Sequence, residues 1–214
     1  MNENDLTDVC HQADQVFHMA SLEREELHRA AMPGRGQSGY FLDGVRQSLG
    51  RILELVRSVE QVNADIASAR RACESDQRPD WIAGIDGYVS AAEDHRQEVS
   101  NILGAYHLLE ASYELGAAVE VLHADANSTF EHNSRPEHVG NVDAMGRQRE
   151  ALMVVRERAV GLVEHAYKLL EIPRNELLPY WFADYLNGTK SDLDGQFEII
   201  EAYVNALDEE LARP

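Results

Sequence analysis

Apolar residues recur along this chain at three- and four-residue steps, the spacing that lines one face of an α-helix. No stretch alternates apolar with polar residues long enough to form a strand, so the fold expected is all-α. In a first helix at about 5–31, Leu6, Val9, Ala13, Val16, Phe17, Ala20 and Leu27 share a face. The run Pro33–Gly39 stops it, because proline withdraws a backbone donor and glycine favours turns. From about 41 to 75, Leu42, Val45, Leu49, Ile52, Val56, Val59, Val62, Ile66, Ala69 and Cys73 keep a near-heptad seam, the pattern of a long, coiled-coil-like helix. Ser75–Asp80 breaks it, with Asp80 the expected N-cap of a third segment running to about 127. That segment buries Ile82, Ile85, Val89, Ala92, Val99, Ile102, Tyr106, Leu109, Tyr113 and Ala117, with a break expected at Gly84/Gly87 or at the polar run Glu93–Glu98.

Asn127–Asn141 mixes Ser, Asn, His, Pro and Gly without a period and reads as a loop. A fourth helix at about 142–172 carries Met145, Leu152, Val155, Ala159, Leu162, Ala166 and Leu169 on one seam and ends before Pro173. Residues 173–190 read as a short aromatic-rich helix capping one end of the bundle. Ser191 then opens a last helix carrying Leu193, Phe197, Ile200, Val204, Leu207 and Leu211. The architecture expected is one domain over 1–214, an elongated antiparallel bundle of five to six helices with long hairpins. In an antiparallel hairpin about the 33–39 turn, Cys73 lies some twelve residues, roughly 18 Å, beyond the position opposite Cys10, so both cysteines are expected as free thiols.

Charge narrows the partners. The chain has 38 acidic residues against 19 Lys plus Arg, a formal net charge of -19. That surplus repels phosphate backbones and anionic lipid at long range, so neither direct nucleic-acid binding nor membrane attachment through a basic patch is expected. No window approaches the ~18 apolar residues of a membrane span, and Met1–Asp5 lacks the basic and apolar regions of a secretory signal, so the expected compartment is the cytoplasm. Residues 81–146 hold 11 acids and two arginines and form the most acidic third. The leading functional reading is an interaction module for a basic protein partner: an inhibitor, immunity-type protein, chaperone or adaptor, in its strongest form a nucleic-acid mimic. Glu93, Asp94 and Glu98 are its expected acidic contacts. Trp181, with Tyr180, Phe182 and Tyr185 beside it, is either an aromatic anchor for that partner or a core plug. A homodimer is the second assembly considered.

Two enzyme readings stand beside it. Glu25-x-x-His28 and Glu120-x-x-His123 have the spacing that lets a carboxylate and an imidazole on one helical face share a metal, as in di-iron and di-manganese bundles. Asp43 and Asp143 fall at the same expected end of the bundle and complete the candidate set. With 23 Glu and nine His in 214 positions, chance alone supplies about one such pair, and the leading reading carries no cofactor. Arg158 and His165, seven positions apart, fall on one side of the fourth helix. The pair resembles the Arg-x4–6-His element of the HEPN superfamily of helical ribonucleases, which implies RNA cleavage by the pair and its copy across a dimer. Ala159 stands here where a polar residue commonly follows the Arg. The structural alternative has Arg158 paired with an acid and His165 bordering the core.

Overall fold

The computed structural model describes residues 3–133, 141–173 and 176–212. Five helices account for 88% of the described residues, which include no strand. They are α1 (Glu3–His28), α2 (Ser38–Ser75), α3 (Pro79–Asn133), α4 (Val142–Leu170) and α5 (Phe182–Leu211). No described helix is long and apolar enough to cross a membrane. The chain divides into two compact units. Unit 1 comprises Met1–Ala31, Asp43–Leu109 and Asn175–Tyr180; unit 2 comprises Met32–Leu42, Glu110–Arg174 and Trp181–Pro214. Each therefore draws on part of α3.

Unit 1 is a set of three helices built on the seams that periodicity predicts. Ala13, Ala20 and Leu27 of α1 are fully buried at seven-residue steps, and the α2 seam from Val45 to Cys73 is buried except for the half-buried Val56. Ala13, Val62, Ile66, Ala69, Cys73, Ile85 and Ala92 form one core, with Phe17, Trp81 and Tyr88 packed at its margin. Asp76, Gln77 and Arg78 alone join α2 to α3, and the turn is a Schellman closure. The Arg78 amide donates to the Cys73 carbonyl and the Gln77 amide to Glu74, while Gln77 takes the left-handed φ of 56° that glycine usually supplies there. The expected N-cap at Asp80 lies instead inside the first turn of α3, behind Pro79, where an acid complements the helix dipole.

Unit 2 assembles the second half of α3 with α4 and α5. Leu115, Val119, Leu122 and Ala126 face Leu152, Val155, Ala159, Ala166 and Leu169 of α4 and Leu186, Leu193, Ile200, Val204 and Leu207 of α5. Asn141 caps α4 by accepting from the Ala144 amide.

Two expected interruptions are absent. α3 continues through Gly84, Gly87 and Glu93–Glu98 without a break and extends past Asn127 to Asn133, so only the later part of the expected loop is non-helical or lies outside the described residues. The helix is kept whole because Ile85, Ala92 and Val99 are buried on either side of the weak points, and that packing outweighs the roughly 1 kcal/mol propensity deficit of each exposed glycine. The expected aromatic helix at 173–190 forms only from Phe182, after turns at 176–181, and from there it is continuous with the helix expected to start at Ser191, as one element, α5. Ser191 sits exposed in its middle while Leu186 and Leu193 carry the heptad straight through.

α3 also changes its buried face. In unit 1 it buries Val99, Ile102, Tyr106 and Leu109; in unit 2 it buries Leu115, Val119, Leu122 and Ala126. The second stripe is displaced by one heptad position, about 100° around the helix. Ala117, expected on the seam, is only half-buried for that reason.

Candidate partner-binding surfaces

The centre of unit 2 is a polar knot inside an aromatic shell. The Ser38 hydroxyl donates to Glu120 Oε1 at 2.6 Å, and the Ser38 amide, the first of α2, donates to the same oxygen at 3.2 Å. A carboxylate at a helix N-terminus is favourable for the dipole as well as for the orphan donor. Tyr185 completes the knot by donating its phenol to Ser38 Oγ at 3.1 Å. Gly116 makes room for it: a Cβ there would stand 2.0 Å from Tyr185 Oη and 2.8 Å from Ser38 Oγ. Around it, Tyr113 stacks on Trp181 and meets Phe41 and Tyr185 edge to face. Burial raises the Tyr113 phenol far above its ordinary range and also raises Tyr185.

Trp181 is therefore the core plug and not an exposed anchor, because its ring is covered by Tyr113 and Tyr185. The exposed aromatic of that segment is Tyr180, 94% accessible.

The metal set does not assemble. Among the described residues no group of three or more His, Cys, Asp or Glu could hold a metal. Glu25 pairs with Arg29 one turn away, Glu120 is engaged by Ser38, and His28, His123, Asp43 and Asp143 are all exposed. Glu25, His28 and Asp43 belong to unit 1, while Glu120, His123 and Asp143 belong to unit 2. The Glu-x-x-His spacing here reflects a solvent-facing helix surface and, at Glu120, a cap for α2.

Arg158 donates to Asp125 of α3 at 2.7 Å and His165 is half-buried, the structural alternative for that pair. Cys10 and Cys73 are free thiols, as their offset predicts. Burial pushes the Cys10 thiol up, which leaves it a poor nucleophile.

The acidic trio divides. Glu93 and Asp94 are exposed, Glu93 lying 4.0 Å from Arg96. Glu98 is held on both sides, by Arg24 at 3.5 Å and by His95 at 3.1 Å, and His95 stacks on Phe17. Glu98 thus serves the α1–α3 contact of unit 1. Ion pairing is extensive elsewhere too: at least eleven of the 19 Lys and Arg side chains lie within 4.0 Å of a carboxylate.

Sequence reasoning missed two surface features. On α4, Glu150, Glu157, Glu164 and Glu171 recur at seven-residue intervals and are all exposed, a stripe visible in the sequence as a glutamate heptad. Beside it, α3 and α4 enclose a groove of about 410 Å³ lined by Ala118, Val121, Leu122, Arg158, Gly161 and Leu162. Compared with protein-family models, with curated proteins and with solved structures, the chain matches none of them.

Proposed function

We propose that this protein is an acidic interaction module whose partner is a basic protein. The observation that carries the reading is the pairing of the cations. Most of the 19 basic side chains are already matched by carboxylates of the same chain, so the surplus behind the -19 charge stays on the surface. Exposed Asp94 on α3 and the glutamate stripe of α4 belong to that surplus. Such a field attracts a cationic surface and speeds its encounter, chiefly through the on-rate. The interspersed arginines favour this protein-binding form over mimicry of nucleic acid.

Affinity isolation from extracts of the organism that encodes the chain, followed by binding kinetics with the purified partner, tests this. The partner should be basic, and its on-rate should fall about tenfold or more between low and high salt, because exposed charges are screened within about 10 Å at 0.1 M. An affinity that does not change with salt contradicts the proposal.

A further inference from the structure

We propose that the groove between α3 and α4 of unit 2 is the docking site for a basic amphipathic helix of the partner. This rests on the acidic-module reading and gives it a place and a mode of recognition.

The groove is apolar where it could have been charged. Ala118, Val121 and Leu122 of α3 and Gly161 and Leu162 of α4 line it, and Arg158 at its edge is already held by Asp125. Val121 is 58% exposed although it lies beside the fully buried Leu122, and Val154, two turns before Gly161, is 54% exposed. Gly161 is exposed, and a Cβ there would meet no atom within 4 Å, so a larger side chain at this position has room to cover the groove. The shifted seam of α3 places Val121 there: burying Leu122 and Ala126 against α4 turns the adjacent position outward at the rim.

Its shape and chemistry select the occupant. A volume of about 410 Å³ is within the range of small-molecule pockets, yet the groove lacks the converging polar groups that orient a small ligand. Two neighbouring helices with small residues between them offer a channel for a third, entered by side chains at helical spacing. Charge then decides between possible third helices. Glu157 and Glu164 flank Gly161 at four and three residues along α4, are exposed, and continue as Glu150 and Glu171 above and below. Seven-residue intervals correspond to about 10.5 Å of helix, so cations at the same spacing on a docked helix would meet successive glutamates, as flanking charges do in coiled coils. A second copy of this chain, itself of formal charge -19, would meet an already acidic face, which disfavours self-association there.

The test uses the full chain and a fluorescent 18-residue peptide of Leu, Ala and Lys, arranged as an amphipathic helix with lysines flanking its apolar stripe. A peptide of the same composition in scrambled order is the control. The amphipathic peptide should bind at least about tenfold tighter than the scrambled one, since only it presents an apolar face to the groove. Gly161→Gln fills the groove without a charge change and, as a glycine replacement on an exposed helical face, should leave the melting temperature equal or higher. It should weaken binding about tenfold. Glu157→Gln with Glu164→Gln should weaken it severalfold and flatten its salt dependence, whereas Glu93→Gln with Asp94→Gln should change it less than about twofold. Equal binding of both peptides, or full binding to the Gly161→Gln protein, overturns the groove. If both glutamine pairs then weaken binding alike, the acidic-module reading stands without it; if neither pair matters and salt has no effect, both fall. A dimer of the unmodified chain that Gly161→Gln disperses assigns the groove to a second copy and also overturns the proposal.

Discussion

Units 1 and 2 carry nearly the same charge and are built differently inside. Unit 1 has 19 acids and nine bases, unit 2 has 19 and ten, so net charge does not distinguish them. The core cluster of unit 1 is mostly aliphatic; Tyr106 is buried and donates its phenol to Glu23 at 3.4 Å, while on the surface Arg51 bridges Glu23 and Glu26 and Arg70 meets Asp86. Unit 2 holds Ser38 and Ser112, the buried polar side chains among the described residues, and closes its aromatic shell over the Ser38–Glu120–Tyr185 knot. The grooves differ in the same sense. That of unit 1 has Glu60, Arg96, Gln97 and Ser100 among its lining residues, whereas that of unit 2 has Arg158 as its sole charged one. The docking site proposed on unit 2 is therefore distinguished from unit 1 by its apolar lining and not by its net charge.

The largest expected effect breaks unit 1. Val59 is 1% exposed in the α2 seam, so Val59→Asp places an unpaired charge in an aliphatic core and should cost about 3–5 kcal/mol in denaturant unfolding. Gly116→Ala sharpens the contrast from the other side. Its methyl group must displace the buried Tyr185 hydroxyl, at a cost of about 1–3 kcal/mol, although alanine normally stabilises a helix. Ser38→Ala removes the hydroxyl that Glu120 and Tyr185 share, leaving Glu120 only the backbone amide of residue 38, and should cost about 1–2 kcal/mol.

Alkali should separate the units more gently. The Tyr106 phenol of unit 1 is pushed up to about 12, by burial first and the Glu23 carboxylate second, and burial raises Tyr113 and Tyr185 of unit 2. A phenol raised in the folded state adds stability that is complete below its unfolded value near 10 and is lost as pH climbs toward the folded value. Stability should thus fall above about pH 10, and Tyr113→Phe should flatten that fall more than it lowers stability at neutral pH, as melting temperature against pH would record. The smallest effect is Arg51→Met: the pair with Glu23 is well formed, but the guanidinium is 49% exposed, so the loss should stay below about 1 kcal/mol.

Much of this architecture was legible in the chain. The α2 seam from Leu42 to Cys73, the α4 seam and the separation of the cysteines follow from heptad spacing and rise per residue, which are local quantities. The continuity of α3 and α5 was not, because Gly84, Gly87 and Ser191 are breakers only by propensity, and tertiary packing on the opposite face overrides them. The face change near Tyr113 was hidden for a similar reason: a helix serving two cores is apolar on two stripes, and no local rule says where one gives way to the other. The pairing of Arg158 with an acid was anticipated, and Asp125 supplies it. The groove was not, since it depends on which residues of α3 meet α4 at the displaced register.

Amide chemical-shift mapping of the amphipathic lysine peptide onto the isotopically labelled full chain tests the central claim most directly. The account predicts perturbations concentrated at residues 114–125 of α3 and 154–168 of α4, with residues 85–98 of the equally acidic unit 1 unmoved. Perturbations spread evenly over the exposed acids of both units would contradict it.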